Sequence, residues 1–152
     1  MRLKKWMMAL LVPVLLLCGC AGQKQEFTIT DVTVQDVKDM ADAGDTFLLL
    51  VEREGCDFCQ AMNEYMEETK ADHPEVKLFR LDTTDFDLVK EQAENKTLVS
   101  ETEEGKAWLE LQPYFLYTPA IYRYENGKAD EAAIGFNVVT DEISLWDTTS
   151  TI

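Results

Sequence analysis

The sequence is short of basic residues, with 14 lysines and arginines against 29 aspartates and glutamates and a net charge of −15 at pH 7. Nucleic acids and anionic lipid surfaces repel a chain of this sign, so we expect no nucleic acid partner. Most of the acidic residues are interpreted as a solvated surface. The 152 residues leave room for one domain, and no internal repeat or low-complexity segment is present.

Side chains typical of structural zinc sites are scarce too, since the chain has one histidine and four cysteines. A structural zinc site takes four ligands. The histidine, His73, is separated from Cys56 and Cys59 by the length of a predicted helix. We therefore expect no metal site and no cofactor.

A hydrophobic run long enough to span a bilayer comfortably is also missing. The apolar segment from Trp6 to Leu17 is short and contains Pro13. It follows the basic stretch Met1–Lys5, a combination typical of a secretory signal peptide. An uncleaved signal anchor is the alternative.

The end of that segment, Leu17-Cys18-Gly19-Cys20, resembles the lipobox of bacterial lipoproteins. The resemblance implies that residues 1–19 are removed as a signal peptide and that Cys20 is lipidated. Residues 20–25 would then tether a domain of residues 26–152 to the outer face of the cell membrane. Removal of residues 1–19 takes away three basic residues and no acidic one, so the net charge becomes −18.

Two cysteines, Cys56 and Cys59, then remain as thiols in the domain. Outside the cytoplasm they can pair with each other or with another protein. A bond across a two-residue spacer closes almost no loop, so it would stabilise the fold little. The cysteines lie between the apolar run Phe47–Val51 and a segment with helical periodicity. A helix N-terminus favours a thiolate at the first cysteine. The pair is predicted to exchange disulfides, with a buried, idle pair as the alternative.

Local patterns predict the elements before the cysteines. The alternation over Phe27–Val32 indicates a strand, and Thr33 can cap a helix over Val34–Ala43 that ends at Gly44. The continuous apolar run Phe47–Val51 indicates a central strand covered on both faces.

The helix that follows is predicted from Asp57 to about Asp72. Its period puts Cys59 on the buried stripe with Met62 and Met66, and places the polar residues on the other side: Gln60, Asn63, Glu64, Glu67 and Glu68. Cys56 precedes the first turn and is expected to be exposed.

The second half of the chain is predicted to hold a strand over Val76–Leu81 and a helix over Phe86–Ala93. A further short helix is expected between Asn95 and Gln112, where Ser100 and Glu103 have capping-box spacing.

Asn126-Gly127 predicts a hairpin between strands Tyr117–Glu125 and Lys128–Phe136. A last short helix is expected to begin at Thr140.

This order predicts an α/β fold in which helices flank a central mixed sheet. A CxxC pair at a strand-to-helix junction, with Thr118-Pro119 opening the following hairpin, resembles the thioredoxin fold over residues 26–147. The resemblance implies that Pro119 is cis and packs beside the cysteines, and that Thr118 supplies a backbone contact to a substrate peptide. It also implies that Cys56 attacks and that Cys59 resolves the mixed disulfide.

Within that superfamily, a Gly-Cys-x-x-Cys sequence with a helical insert before the cis-Pro hairpin is similar to the bacteriocin transport accessory group. That resemblance places the chain on the surface of a Gram-positive type of cell.

Three positions depart from the thioredoxin pattern. Gly55 stands where tryptophan is expected, and Asp57-Phe58 replaces the usual Gly-Pro. Asp57, with Glu52 and Glu54, disfavours a thiolate by like-charge repulsion, which predicts a reductant-like or intermediate potential.

The third departure is Leu50, which occupies the position of a buried aspartate that serves proton transfer to the resolving thiol. Glu52, on the same strand, is a candidate substitute, and a solvated glutamate is the alternative.

The leading hypothesis is an extracytoplasmic thiol–disulfide oxidoreductase that acts on cysteine-containing proteins or peptides and is served by a membrane or extracytoplasmic redox partner. The alternative is an accessory or binding protein for export or maturation of a secreted peptide, without obligatory turnover. Several aromatic residues could form an apolar peptide-binding rim or belong to the core: Phe58, Tyr114, Phe115 and Tyr117. A solute-binding lipoprotein would need a second lobe, for which the sequence gives no sign.

Overall fold

A five-stranded mixed sheet forms the centre of the protein in the computed structural model, which describes residues 26–90, 98–113, 115 and 117–134. The strand order is β1-β3-β2-β6-β7. The strands are β1 (Thr28–Asp31), β2 (Phe47–Glu52), β3 (Lys77–Asp82), β6 (Ala120–Glu125) and β7 (Lys128–Ile134). The first three run parallel, and β6 and β7 are antiparallel to their neighbours. The predicted α/β class with a mixed sheet is confirmed.

The central strand β2 separates two hydrophobic clusters because its side chains alternate between the two faces of the sheet. Leu49 and Val51 belong to the cluster that contains Val37 and Trp108. Leu50 belongs to the other cluster, with Met62 on the helix after the cysteines. Both faces of β2 are therefore covered, as its continuous apolar run predicts.

In the described residues, three α-helices cover the sheet: α1 (Val34–Ala43), α2 (Asp57–Thr69) and α3 (Glu103–Leu111). Helix α1 begins and ends as predicted, with a capping box between Thr33 and Asp36 and a left-handed Gly44 at its end. A short 3-10 turn, Lys70–Asp72, continues α2. Helices α1 and α3 lie over one face of the sheet and α2 over the other.

The predicted helix over Phe86–Ala93 is wrong. The chain forms a 3-10 turn over Thr84–Phe86, and Asp87 then takes a left-handed conformation with φ of 47°. Two short strands follow, β4 (Val89–Lys90) and β5 (Leu98–Val99), which pair antiparallel. Residues 91–97, including the end of the predicted helix, lie outside the described residues. Phe86 is buried in the core, so tertiary packing and strand pairing prevail over the local apolar spacing.

The start of α3 also differs from the prediction, which used Ser100 and Glu103 as a capping box. Thr102 is the N-cap and accepts a hydrogen bond from the Gly105 N–H at 3.0 Å. The buried Ser100 hydroxyl donates instead to the carbonyl of Phe86 at 2.5 Å. Gly105 packs so closely here that a side chain would collide with Ser100 and the Phe86 carbonyl. These contacts fix α3 against the turn that follows β3.

The hairpin of β6 and β7 turns at Asn126-Gly127, where both residues have positive φ as the sequence predicts. The expected last helix from Thr140 lies outside the described residues, as does the end of the predicted strand at Phe136. Within residues 26–134, as far as the structure describes them, no helix has the length and apolarity needed to cross a membrane.

Candidate active site

The two cysteines lie where the end of β2 meets the start of α2. Gly55, with φ of 65°, makes the turn between the strand and the helix. Cys56 is the N-cap of α2, and Cys56 and Cys59 form a disulfide with their Cα atoms 5.2 Å apart. The helix therefore presents both sulfurs at its N-terminus, which favours negative charge on the first.

The two sulfurs differ in exposure. Cys59 lies on the buried stripe of α2 with 3% of its surface exposed, next in the helical period to Met62. Cys56 is partly buried, so the prediction that it is exposed holds only in part. The structural reason is that the residues before β6 cover one side of its sulfur.

Thr118 covers this side of the Cys56 sulfur, although it lies 62 residues later in the chain. Its hydroxyl lies 3.4 Å from the Cys56 sulfur and its carbonyl oxygen 3.5 Å away. Val51 pairs with Ala120 in the sheet, so the residues just before β6 lie beside those just after β2. The Thr118–Pro119 peptide bond is cis and Pro119 is buried.

The Cys56 sulfur accepts hydrogen bonds that the CxxC motif alone does not predict. The backbone N–H of Cys59 donates to it at 3.1 Å, and the Thr118 hydroxyl is placed to be a second donor. In the reduced protein these groups stabilise a thiolate, because hydrogen bonds to the charged form favour it. They oppose the repulsion expected from Asp57, which is the first residue of α2 and is exposed.

Glu52 is buried at the end of β2, with 6% of its surface exposed, so the alternative of a solvated glutamate is wrong. Alternation along the strand puts Glu52 on the same face as Leu50, toward α2. Its carboxylate accepts a hydrogen bond from Asn63 at 3.1 Å. Burial raises the pKa of Glu52 above its ordinary value, and the Asn63 hydrogen bond opposes that rise only in part.

Asn63 is the site residue that sequence reasoning missed, because the helical period places it on the polar side of α2. Its side chain donates both to Glu52 and, at 3.0 Å, to the carbonyl of Cys59 one turn earlier. The available sequence signal was its spacing of four residues from Cys59, because residues four apart lie next to each other on a helix. The pair Glu52–Asn63 thus connects a buried carboxyl group to the backbone of the second cysteine.

Two clefts meet at Cys56. The first, of about 660 Å³, reaches both sulfurs, Glu52 and Asn63. The second, of about 730 Å³, lies on the Thr118 side, and we call it the aromatic cleft. Its walls include Phe58, Tyr117, Leu88, Leu98 and Asp57.

The remaining predicted residues have mixed outcomes. Phe58 is 62% exposed and Tyr117 59%, whereas Phe115 is buried in the core. Tyr114 and the predicted lipidation residue Cys20 lie outside the described residues. In the described part of the chain, no group of three or more histidine, cysteine, aspartate or glutamate side chains is arranged to hold a metal ion.

The sequence matches no protein-family model, and no curated protein matches it. Solved structures are similar in fold. A crystal structure of thioredoxin from Trypanosoma brucei brucei has a TM-score of 0.50 at 15% identity and covers 79% of this chain and 88% of its own.

A second similar chain belongs to a structure describing the thiol-resolving mechanism in yeast mitochondrial 1-Cys peroxiredoxin via glutathione and thioredoxin systems. Its TM-score is 0.51 at 13% identity, and the match covers 78% of this chain and 93% of that chain. The predicted thioredoxin-like fold is confirmed by these neighbours.

Proposed function

We propose that this thioredoxin-like chain is a thiol–disulfide oxidoreductase that acts on cysteine-containing proteins or peptides outside the cytoplasm. One observation carries the proposal: the disulfide of Cys56 and Cys59 at the N-terminus of α2 has one partly accessible sulfur and one buried sulfur. That asymmetry suits a pair that opens and closes a bond with a partner, since the two sulfurs then have different tasks.

In the reducing direction, the Cys56 thiolate attacks one sulfur of a partner disulfide. A bond forms between Cys56 and that sulfur, and the other partner sulfur leaves with the electron pair and takes a proton from solvent. The Cys59 thiolate then attacks Cys56, which forms the internal disulfide and releases the second partner thiolate. The partner gains two electrons and the protein loses two, so a dithiol reductant must reset the pair.

We further propose that the pair has a reductant-like or intermediate potential. Asp57 and the acidic surface disfavour the Cys56 thiolate, whereas the Cys59 N–H and the Thr118 hydroxyl favour it. Equilibration of the full chain with glutathione redox buffers measures the balance. A potential close to that of strong periplasmic oxidants would overturn this part of the proposal.

The cellular place proposed for the domain rests on the N-terminal sequence. Residues 1–19 are proposed as a signal peptide, Cys20 as the lipidated residue and residues 20–25 as a tether to the membrane. Metabolic labelling with a radioactive fatty acid tests this: label should enter the wild-type chain and be absent from Cys20→Ala. A labelled Cys20→Ala chain would contradict it.

The second candidate function is a peptide-binding accessory protein in which the cysteines need not turn over. The exposed Phe58 and Tyr117 beside the site favour it, since large apolar side chains in solvent often mark a binding surface.

Trapping distinguishes the two functions. The reduced Cys59→Ala variant should accumulate a mixed disulfide between Cys56 and a partner, because no resolving thiol remains. The wild-type chain should turn over a model protein disulfide in the presence of a dithiol, and Cys56→Ala is the matched control. No adduct and no turnover would favour the accessory function.

A further inference from the structure

Large aromatic side chains that are exposed to solvent line the aromatic cleft. Phe58 and Tyr117 are 62% and 59% exposed, and both line the cleft that contains Cys56 and Thr118. Single exposed apolar residues are ordinary on protein surfaces, but grouped ones beside a reactive sulfur indicate a contact surface.

Described residues between β3 and α3 also line this cleft. Leu88 and Leu98 line the cleft, and Leu98 pairs across the strands with Lys90. The Lys90 ammonium lies 5.6 Å from the centre of the Tyr117 ring, so this pair faces the cleft. Val89 and Val99 form the neighbouring cross-strand pair and, because side chains alternate along a strand, lie on the outer face. Leu88 and Leu98 therefore give the cleft an apolar wall.

Acidic groups border the apolar surface on one side. Asp57 and Asp87 line the aromatic cleft with Arg53, and Lys90 lies over the Tyr117 ring at its wall, so positive and negative charges balance there. The first cleft, on the other side of Cys56, is lined by six acidic residues and two basic ones; the acidic residues are Asp31, Glu52, Glu54, Asp57, Asp82 and Glu104. A segment that lies across Cys56 therefore meets excess negative charge on the side of the first cleft, and the whole chain carries −15.

From this arrangement we infer that the aromatic cleft takes a cationic peptide segment with an apolar residue next to its cysteine. The apolar residue packs between Phe58, Tyr117 and Leu98, and the basic residues lie against the acidic border, since like charges there would be repelled. The inference rests on the proposed function, because the cysteine of the segment is held as a mixed disulfide with Cys56.

The test uses the reduced Cys59→Ala full chain and four short peptides whose cysteine carries 5-thio-2-nitrobenzoate. The peptides place leucine or serine beside the cysteine and lysine or glutamate farther out. Attack by Cys56 forms the bond to the peptide sulfur and releases the coloured thiolate, so absorbance gives the rate and mass spectrometry verifies the adduct.

The leucine–lysine peptide should react fastest. Replacement of leucine by serine should slow the reaction roughly tenfold, as expected for partial burial of one apolar side chain. Replacement of lysine by glutamate should also slow it, by an amount that shrinks as salt is added.

Substitutions assign each preference to its residues. Phe58→Ser and Tyr117→Ser should reduce the preference for leucine. Val89→Ser, on the outer face of β4, should leave that preference unchanged. Asp87→Asn should reduce the preference for lysine, and asparagine tolerates the left-handed backbone at this position. Reaction of every variant with the small, neutral bis(2-hydroxyethyl) disulfide verifies that the cysteine remains reactive.

The outcomes separate the two proposals. Equal rates for the four peptides, or a preference for glutamate, with normal reaction of the small disulfide would overturn the inference and leave the oxidoreductase function standing. No reaction of Cys56 with any disulfide would overturn the proposed function itself.

Discussion

Cys56 and Cys59 belong to the same helix turn, yet they lie in two different environments. The Cys56 sulfur faces two clefts and contacts Thr118, a residue from a distant part of the chain. Cys59 lies on the core side of α2, and its backbone carbonyl accepts from Asn63, which also binds the buried Glu52. The fold thus gives one sulfur hydrogen-bond donors and access, whereas the other is buried and belongs to a residue that shares a cleft with a buried acid.

The two sulfurs therefore have surroundings that suit different steps of the proposed exchange. A buried carboxyl group whose pKa is raised can exchange a proton with a thiol, and Glu52 lines the first cleft together with both cysteines. Under the proposed function, the donors at Cys56 would serve the attack on a partner, and Glu52 would serve the resolution by Cys59.

The largest expected effect comes from removing the two sulfurs one at a time. Cys56→Ser should lower disulfide exchange by roughly three or more orders of magnitude, because the nucleophile is lost. Cys59→Ser should keep the first bond-forming step close to the wild-type rate and stop the second. Stopped-flow measurement of adduct formation and of release separates these steps. Comparable loss of the first step in both variants would show that the two environments do not divide the chemistry.

Glu52→Gln should slow the second step by roughly tenfold to a hundredfold at neutral pH and leave the first unchanged, because glutamine cannot accept the Cys59 proton. In the wild type, the rate of the second step should rise with pH as Glu52 loses its proton, whereas in the variant it should rise only as the Cys59 thiol itself ionises. Resolution of a preformed mixed disulfide, followed from pH 5 to 9, gives the profile.

Glu54→Gln is the matched control for Glu52→Gln, since Glu54 is an exposed carboxylate in the loop before Cys56. Identical profiles for wild type and Glu52→Gln would remove Glu52 from the proton path.

Local sequence signals predict much of the fold. Thr33 and Gly44 delimit α1, the apolar run of β2 gives the central strand, and Asn126-Gly127 gives the hairpin turn. Such reasoning fails for the segment after Phe86, because β4 and β5 are only two residues long each while the local apolar spacing resembles a helix. Pairing of two-residue strands leaves almost no periodic signal.

The features of the site also divide into those that local sequence signals predict and those that depend on tertiary packing. The position of the cysteines follows from a local motif, and the helical stripe that holds Cys59 follows from its period. The burial of Glu52 does not, since it depends on α2 packing over the end of β2, and Asn63 faces the polar side of the helix by period alone. The contact of Thr118 with Cys56 depends on the pairing of β2 with β6.

Thr118→Val should affect the first step modestly. It removes the hydroxyl 3.4 Å from the Cys56 sulfur while keeping the shape of the side chain. One lost hydrogen bond to a thiolate should slow the attack by about threefold to tenfold at neutral pH. Alkylation of reduced protein by iodoacetamide at a series of pH values measures it, and Thr118→Ser, which keeps a hydroxyl, should behave as wild type. A serine variant as slow as the valine variant would assign the effect to packing.

The smallest expected effect is on stability, and it tests the burial of Glu52 independently of exchange. Because the pKa of Glu52 is raised in the folded protein, its protonated form is favoured there, and the stability it contributes is lost as pH rises through that folded pKa. Glutamine keeps the acceptor for Asn63 and carries no charge. Glu52→Gln should therefore match the wild type below the ordinary glutamate pKa of 4.5 and become the more stable form as pH rises. The nearby charges of Asp31, Arg80 and Asp82 are the same in both proteins, so the difference between their urea unfolding curves isolates Glu52. A difference that is constant with pH would mean that the substitution acts through packing, and that the carboxyl group is not buried as the structure places it.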